Sequence, residues 1–207
     1  MIRVVLATRN QGKVRELQGL LAPLDLEVLG LSAFPSVGEV EETGETFAEN
    51  ALLKARQVSQ ATGLLALADD SGIEVDALGG APGVRSARYS GEKATDAANN
   101  EKLLRALADV PEDDRTCRFV SVVAAHAPNG AELTALGVWE GRVGLAPKGQ
   151  GGFGYDPLFI DAQSGLSAAE MSREEKNARS HRGQALRELL RVWRQEGFPG
   201  PAGQGPA

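Results

Sequence analysis

Apolar positions at the start of the chain follow a strand period, then a helical period, then a strand period again. Residues 2–7 form a short, mostly apolar run that is typical of a buried strand. From residue 13 to residue 21 the apolar positions recur at helical spacing, and Pro23 ends that pattern. Residues 25–31 form a second short apolar run. The chain therefore begins with a predicted strand, helix and strand.

A second helix is predicted from residue 47 to about residue 62. Thr46 and Glu49 have the spacing of a capping box, and Gly63 suits the position after the last helical residue. One face of this helix carries Phe47, Asn50, Ala51, Lys54, Ala55 and Val58. Because an ammonium buried there without a partner would be costly, Lys54 either reaches solvent from the helix edge or is buried with a partner. The helix alone leaves both open.

The stretch "LALADDSG" leads from an apolar run directly into two adjacent carboxylates. Residues 65–69 predict a strand that ends at this pair, and residues 71–91 predict a connection rich in Gly, Ser and Arg. Successive strand residues face opposite sides of a sheet, so Asp69 and Asp70 cannot both face water from a regular strand. They either cap a turn or form a site for Mg²⁺, which prefers oxygen ligands and shared phosphates. Glu42 is the candidate second carboxylate; its alternative is a solvated acidic loop.

The rest of the chain completes an α/β pattern. A helix is predicted at residues 95–108, and two longer apolar runs, 116–127 and 131–143, flank the turn sequence "PNG". A last helix is predicted at residues 181–194. Strands that alternate with helices, together with one antiparallel hairpin, predict a mixed, twisted sheet.

Composition narrows the classes of function. The 207 residues are 42% hydrophobic and 24% charged, as in an ordinary globular protein, and we assign residues 1–196 to a single domain. The tail, residues 197–207, lacks apolar periodicity and is predicted to be disordered. The formal net charge of −6 argues against binding of nucleic acid polymers, but it permits a local cationic site for a small anion.

Cysteine and histidine usage excludes further classes. A single cysteine excludes an intramolecular disulfide, and two histidines with one cysteine argue against a zinc site. No apolar run has the length of a secretory signal or a membrane span. We therefore expect a cytoplasmic protein with no membrane partner.

The turn within "LATRNQGKVREL" is a candidate phosphate site. Thr8, Asn10 and Lys13 offer a hydroxyl, an amide and an ammonium where a predicted strand meets the start of a helix, and a helix N-terminus suits phosphate. The Walker A pattern is absent. The alternative is an ordinary turn with an exposed lysine.

Two later motifs are candidates for contacts with a ligand. In "GQGGFGYDPLF", Phe153 and Tyr155 offer aromatic faces to a nucleobase; alternatively, the aromatic residues return to the core before the strand "PLFI". In "EEKNARSHRGQAL", His181 and Arg182 fall in the first turn of the last helix, after Ser180. Cations are unfavourable at that end of a helix dipole, so an anionic ligand explains them better than stability does.

Taken together, these motifs resemble those of the inosine/xanthosine triphosphate pyrophosphatase family, enzymes that act on aberrant purine nucleotides. The matching segments are "ATRNQGKVREL", "EETGETFAENALLKAR", "LADDSGIEVDALGGAPGVRSARYSG", "GGFGYDPLF" and "EEKNARSHRGQAL". They occur in this order from residue 1 to about residue 193. One such motif would be a weak signal, whereas five in order are specific.

The resemblance implies a fold and a reaction. The implied fold is α/β, with a long, curved mixed β-sheet and helices that form two lobes around a central nucleotide-binding cleft. The implied reaction is Mg²⁺-dependent attack of water on the α-phosphate of ITP, dITP or XTP, which releases the nucleoside monophosphate and pyrophosphate. Members of the family usually form homodimers, and we expect one here.

The resemblance also assigns roles to residues. Asp70 would be the general base and would bind Mg²⁺ together with Glu42, while Asp69 would support the site. The triphosphate would be bound by Thr8, Asn10 and Lys13, with help from Lys54 and Ser71. Arg9, Gln11 and Gly12 complete the substrate-binding turn, although Arg9 occupies a variable position from which its side chain can point to solvent. The base pocket would comprise Phe153, Gly154, Tyr155, Asp156, Lys176, His181 and Arg182.

Three rival interpretations fit parts of the pattern. A Maf-like nucleotide pyrophosphatase has a different base preference, and the pair of motifs "GGFGYD" and "SHR" favours the purine family instead. A nucleotide-binding module without hydrolysis predicts loss of a catalytic carboxylate, yet Glu42, Asp69 and Asp70 are all present. A structural interaction protein leaves the lysines at the motif edges unexplained.

Overall fold

The computed structural model describes residues 2–197 of the chain. The strands are β1 Ile2–Leu6, β2 Leu26–Gly30, β3 Leu65–Val75, β4 Thr116–His126, β5 Glu132–Val143 and β6 Phe159–Asp161. The helices are α1 Gln11–Leu21, α2 Phe47–Thr62, α3 Asp96–Ala106, α4 Arg173–Arg179 and α5 His181–Glu196. Residues 198–207, most of the tail predicted to be disordered, lie outside the described residues.

The six strands form one mixed sheet in the order β2-β1-β3-β4-β5-β6. β1 pairs in parallel with both β2 and β3, whereas β5 and β6 are antiparallel. The predicted hairpin turn is present between β4 and β5, where the Ala127 N–H donates to the Ala131 carbonyl at 2.9 Å. Gly130 in this turn has φ of +87°, a conformation that favours glycine. The predicted α/β class with a mixed sheet is confirmed.

Helix α2 has the predicted bounds because its sequence carries signals at both ends. The Thr46 side chain accepts a hydrogen bond from the Glu49 N–H, the Glu49 side chain accepts one from the Thr46 N–H, and Gly63 lies in the left-handed region. The whole predicted stripe is buried, Lys54 included.

The prediction that a strand ends at the carboxylate pair is wrong. β3 continues through Asp69 and Asp70 to Val75, which makes it eleven residues long. The predicted connection after it contains two short 3₁₀ helices, Asp76–Leu78 and Gly83–Arg88. Helix α4, which the apolar pattern did not predict, precedes α5 directly.

The chain divides into two compact units. Among the described residues, the first contains 2–70, Ser121–Gly137 and 182–197; the second contains Ser71–Val120 and Val138–His181. Each unit has its own buried cluster. That of the first includes Val4, Leu6, Leu17, Leu21, Leu65, Val123 and Leu189, and that of the second includes Ile73, Leu103, Phe119, Trp139, Tyr155 and Phe159. Between residues 2 and 197, no helix is long and apolar enough to cross a membrane.

Candidate active site

Lys54 is the centre of a buried ionic cluster in the first unit. Its Nζ lies 2.7 Å from Asp70 Oδ1 and 2.9 Å from Glu42 Oε1, and it donates to the Asp69 carbonyl oxygen at 3.0 Å. Its side chain is only 10% exposed. The alternative that Lys54 reaches solvent is therefore wrong, and Glu42 belongs to this cluster rather than to a solvated acidic loop.

The pKa values of Asp70 and Lys54 reflect the opposing effects of burial and of neighbouring charges. Burial raises the pKa of Asp70 above its ordinary value, although the charges of Lys54 and Lys13 act against this. For Lys54, burial acts to lower the pKa, but the carboxylates of Asp70 and Glu42 outweigh it and raise the pKa. Lys54 therefore stays a cation beside a carboxylate of increased basicity.

Asp69 faces a different set of partners. Its Oδ2 lies 2.8 Å from Lys13 Nζ and 3.1 Å from Arg182 Nη2, and its Oδ1 accepts a hydrogen bond from the Ser121 hydroxyl at 2.5 Å. Asp69 is almost completely buried, which by itself would raise its pKa. Arg182, Lys13 and Ser121 outweigh burial and hold the pKa of Asp69 well below its usual range. The two neighbouring carboxylates thus form ion pairs with different cations, Asp69 with Lys13 and Arg182, and Asp70 with Lys54.

The turn before α1 is shaped by its own side chains. Asn10 caps the helix, and its Oδ1 accepts hydrogen bonds from the N–H groups of Gly12 and Lys13 at 2.9 and 3.2 Å. The Thr8 hydroxyl oxygen accepts from the Asn10 N–H at 3.2 Å, and the Arg9 guanidinium donates to the Val37 carbonyl at 2.7 Å. Lys13 is not the exposed lysine of an ordinary turn, because its ammonium pairs with Asp69.

Arg182 belongs to an ion-pair network that the motif did not reveal. It lies in the first turn of α5 with its side chain 2% exposed, and it pairs with both Asp69 and Glu16. Burial acts to lower the pKa of Arg182, but these two carboxylates raise it. An anionic ligand is therefore not required to explain this cation. Glu16 was missed by sequence reasoning; its place three residues after Lys13, one helical turn away on α1, was the available signal.

The second unit contains a separate polar cluster around Asp156. Lys176 Nζ lies 2.5 Å from Asp156 Oδ2, which also accepts from the Phe153 N–H at 2.9 Å. A Cβ at Gly152 would lie 2.0 Å from the same oxygen, so the close approach of the chain requires glycine there. Lys176 Nζ is 5.0 Å from the centroid of the half-buried Phe153 ring. Phe153, Asp156 and Lys176 thus form one interlocked group.

Two aromatic members of the predicted base pocket are buried in the second unit. The Tyr155 ring is buried, and its hydroxyl donates to the Ser86 carbonyl at 2.8 Å. Burial raises the pKa of this phenol above its ordinary value. His181 is also buried and stacks on Phe119, with ring centroids 4.7 Å apart. For Tyr155, the alternative in which the aromatic ring returns to the core describes the structure.

Comparison with known proteins identifies the family. The model of the Ham1 family matches residues 4–192, nearly the whole described chain. The chain belongs to the Ham1 family. The family resemblance inferred from the five motifs is thereby confirmed.

Two relatives and one solved structure match this chain over at least 95% of their own lengths. The dITP/XTP pyrophosphatase of Nitratidesulfovibrio vulgaris is 61% identical over 196 residues, which cover 92% of this chain and 95% of that protein. The dITP/XTP pyrophosphatase of Escherichia coli O157:H7 is 55% identical over 192 residues, 92% of this chain and 97% of that protein. The structure of a HAM1 protein from Coxiella burnetii superposes with a TM-score of 0.84 at 47% identity and covers 94% of this chain and 100% of that one.

The donor set of this Ham1 protein fits Mg²⁺. Glu42 and Asp70 direct carboxylate oxygens at one ammonium, so both lie at the same point of the first unit. Within residues 2–197, no group of three or more His, Cys, Asp or Glu side chains lies close enough to hold a metal ion. Mg²⁺ is commonly held by one or two carboxylates, with water and substrate phosphates completing its shell. Two carboxylates are therefore sufficient.

Proposed function

We propose that this chain hydrolyses noncanonical purine nucleoside triphosphates (ITP, dITP and XTP) to the monophosphate and pyrophosphate, and so removes them from the nucleotide pool. The observation that carries the proposal is the cluster in which Lys13 and Lys54 each bind a different carboxylate of the Asp69–Asp70 pair. Phosphoryl transfer depends on charge neutralisation and positioning, which such a cluster supplies. The names of the relatives, dITP/XTP pyrophosphatase, support the substrate class.

The triphosphate is assigned to the N-terminal turn of α1 and its neighbours. These residues are Thr8, Arg9, Asn10, Gln11, Gly12, Lys13, Lys54 and Ser71. The capped start of α1 presents the positive end of its dipole, which favours phosphate. Lys13 and Lys54 would neutralise charge on the departing pyrophosphate. Arg9 already donates to a backbone carbonyl, so its part is to fix the turn.

In the proposed reaction, water attacks the α-phosphorus. Its oxygen forms a new bond to that phosphorus, the bond from the α-phosphorus to the bridging oxygen of the β-phosphate breaks, and pyrophosphate leaves with the bonding pair. Asp70 accepts the proton of the attacking water, as a carboxylate whose basicity burial increases. Lys54 fixes the orientation of Asp70 by binding its Oδ1.

Glu42 and Asp70 are the proposed ligands of Mg²⁺. When bound, Mg²⁺ would neutralise phosphate charge and orient the phosphate chain. Asp69 is assigned no contact with the metal, because Lys13, Ser121 and Arg182 already occupy both of its oxygens.

Base recognition is assigned to Phe153, Gly154, Tyr155, Asp156, Lys176, His181 and Arg182. Hypoxanthine and xanthine carry a keto acceptor at the six-position, where adenine carries an amino donor. The N–H groups of Phe153, Gly154 and Asp156 already donate within the second unit, so the proposed donor to that position is the Tyr155 N–H. Adenine would leave this donor unpaired, and such mismatches reject a ligand strongly. Because the Tyr155 side chain is committed to the core, its proposed contribution comes from its backbone.

The test is pyrophosphate release from ITP, XTP, GTP and ATP, with and without Mg²⁺, by the native chain and by Asp70→Asn. We expect a preference for ITP and XTP, dependence on Mg²⁺, and a loss of about 10²-fold or more in kcat for Asp70→Asn, the usual contribution of a general base. Orthophosphate as the direct product would refute attack at the α-phosphate. Tight binding of ITP without turnover would instead favour the nucleotide-binding module.

We further propose that the chain forms a homodimer and acts in the cytoplasm, where the nucleotide pool is. The usual homodimers of the family support the first part, and the location of the substrate pool supports the second. Light scattering coupled to gel filtration measures the oligomeric state directly, and a mass of one chain at micromolar concentration would refute the dimer.

A further inference from the structure

We propose that Asp96 and Asn100 of α3 are positioning residues for base recognition, because together they hold both backbone polar groups of Gly154. Gly154 follows Phe153 directly in the loop assigned to the purine base. This inference rests on the proposed function, since base recognition by residues 153–156 is part of that proposal. Neither α3 residue belongs to the motifs from which the site was predicted.

The geometry is a two-point clamp. Asp96 Oδ2 accepts a hydrogen bond from the Gly154 N–H at 2.7 Å, and Asn100 Nδ2 donates one to the Gly154 carbonyl at 2.9 Å. Positions 96 and 100 are four residues apart, so they lie on the same face of α3. Gly154 has φ of +62°, a conformation that the loop adopts without strain only with glycine. One helix face therefore fixes the turn immediately after Phe153.

Helix stability does not account for Asn100. Asparagine is a weak helix former, and alanine at this position would favour α3. Asn100 Oδ1 is also buried without a hydrogen-bond partner among the described residues, which adds a desolvation cost. The contact with Gly154, 54 residues away, is what this side chain provides. Asp96 would be favourable in a first helical turn by itself, but its bond to Gly154 spans 58 residues and ties the loop to the helix.

The preceding residue on α3 secures the next position of the loop. Asn99 Nδ2 donates to the Ser86 carbonyl at 3.3 Å, and the same carbonyl accepts the Tyr155 hydroxyl at 2.8 Å. Asn99 Oδ1 accepts from the Ser90 N–H at 2.7 Å. Gly154 is thus held directly by α3, and Tyr155 is held through Ser86.

The clamp should act on binding of the base and not on the chemical step. If the loop loses its clamp, it occupies the conformation competent for binding a smaller fraction of the time, and the apparent affinity falls by that fraction. A hydrogen bond worth about 0.5–1.5 kcal/mol corresponds to about a 2- to 13-fold change. We therefore expect Asp96→Ala and Asn100→Ala each to raise KM for ITP by about 2- to 13-fold, with kcat unchanged.

The experiment compares ligands that contain the base with one that lacks it. For each variant we would measure kcat and KM for ITP, and inhibition constants for IMP and for inorganic tripolyphosphate. KM for ITP and the inhibition constant of IMP should rise together, while that of tripolyphosphate stays at the native value. Asp96→Asn retains an acceptor oxygen and should restore most of the affinity for IMP. Glu101→Ala is the matched control, since Glu101 is exposed on the same helix and, within residues 2–197, forms its one ion pair with Arg105.

Unchanged inhibition by IMP in both alanine variants would overturn the clamp. So would an equal loss of affinity for IMP and tripolyphosphate, because that pattern indicates a general structural defect. Failure of the proposed function is a separate result: the native chain would release no pyrophosphate from ITP. Calorimetric titration of IMP would then test the clamp, and a native chain that does not bind IMP would overturn it as well.

Discussion

Replacement of Lys54 by methionine tests the ionic cluster most directly. Methionine keeps most of the volume and the helix propensity of lysine but removes its charge. The change leaves Asp70, which is 5% exposed, without the ammonium 2.7 Å from its Oδ1. It leaves Glu42 with a side chain that is 27% exposed and can turn towards water.

The expected decrease in the free energy of unfolding follows from the different exposures of Asp70 and Glu42. Removal of one partner from a buried ion pair costs about 3–5 kcal/mol, because a buried charge is left uncompensated. We take the low end, about 3 kcal/mol, because Glu42 is partly solvated and Asp70 can be protonated. For a chain of this length, 1 kcal/mol corresponds to about 2–4 °C, so the melting temperature should fall by about 6–12 °C.

Thermal and urea denaturation of Lys54→Met beside Lys93→Met provides the measurement. Lys93 is exposed, and its replacement should change the free energy of unfolding by no more than about 0.5 kcal/mol. If Glu42 and Asp70 bind Mg²⁺ as proposed, millimolar Mg²⁺ should raise the melting temperature of Lys54→Met more than that of the native chain, since the cation replaces the missing charge. Equal, small effects of the two substitutions would refute the buried ion pair.

Two further predictions concern buried titratable residues of the second unit, Asp161 and Cys117. Trp139 and Ser164 donate to the buried Asp161 carboxylate, and although burial opposes it, these bonds together with Arg179 lower the pKa of Asp161. Above a pH of about 4, the free energy of unfolding of Asp161→Asn should therefore be lower than that of the native chain by about 1–3 kcal/mol. This difference should disappear as the pH falls through the lowered pKa of Asp161. Urea titrations from pH 7 to pH 2 measure it, and a difference that does not change with pH would contradict the assignment. Cys117 is fully buried and burial raises the pKa of its thiol, so a disulfide reagent should modify it only after unfolding, and rapid reaction of the native chain would refute that burial.

Local signals in the sequence predicted some elements closely. The capping box at Thr46 and Glu49 and the glycine after Thr62 are interactions within a few residues, so α2 was predicted with its observed bounds. A capping box was also available at Ser172 and Glu175, but α4 is only seven residues long and mostly charged, and no apolar period marked it. A capping box therefore marks the start of a short helix even where no apolar periodicity follows it.

The extent of β3 was not predictable from local signals. The prediction ended the strand at the carboxylate pair because adjacent charges within a buried strand are unfavourable unless they are compensated. The compensating groups come from Lys13, Lys54 and Arg182, which lie on three different helices. Only tertiary structure brings them together, and their number is what allows the strand to continue.

Arg182 shows how a motif can be matched while the environment of a residue is misjudged. Its position in the first turn of α5 was predicted, and the unfavourable helix dipole was taken to indicate an anionic ligand. In the structure Asp69 and Glu16 supply that negative charge. The contact with Arg182 places Glu16 in the site, and its spacing from Lys13 on α1 was the sequence signal for it.

The two carboxylates of the pair differ in a way that divides their proposed roles. Three donors from separate elements bind Asp69, and its pKa is held well below the ordinary value, so it remains ionised and anchors Lys13 and Arg182. Burial raises the pKa of Asp70, and the neighbouring Glu42 acts in the same direction against the ammonium of Lys54. When adjacent carboxylates are shifted in opposite directions, the one with the raised pKa is the better proton acceptor and the other is a fixed charge. This contrast supports the proposed assignment of Asp70 as the base and of Asp69 as a fixed charge.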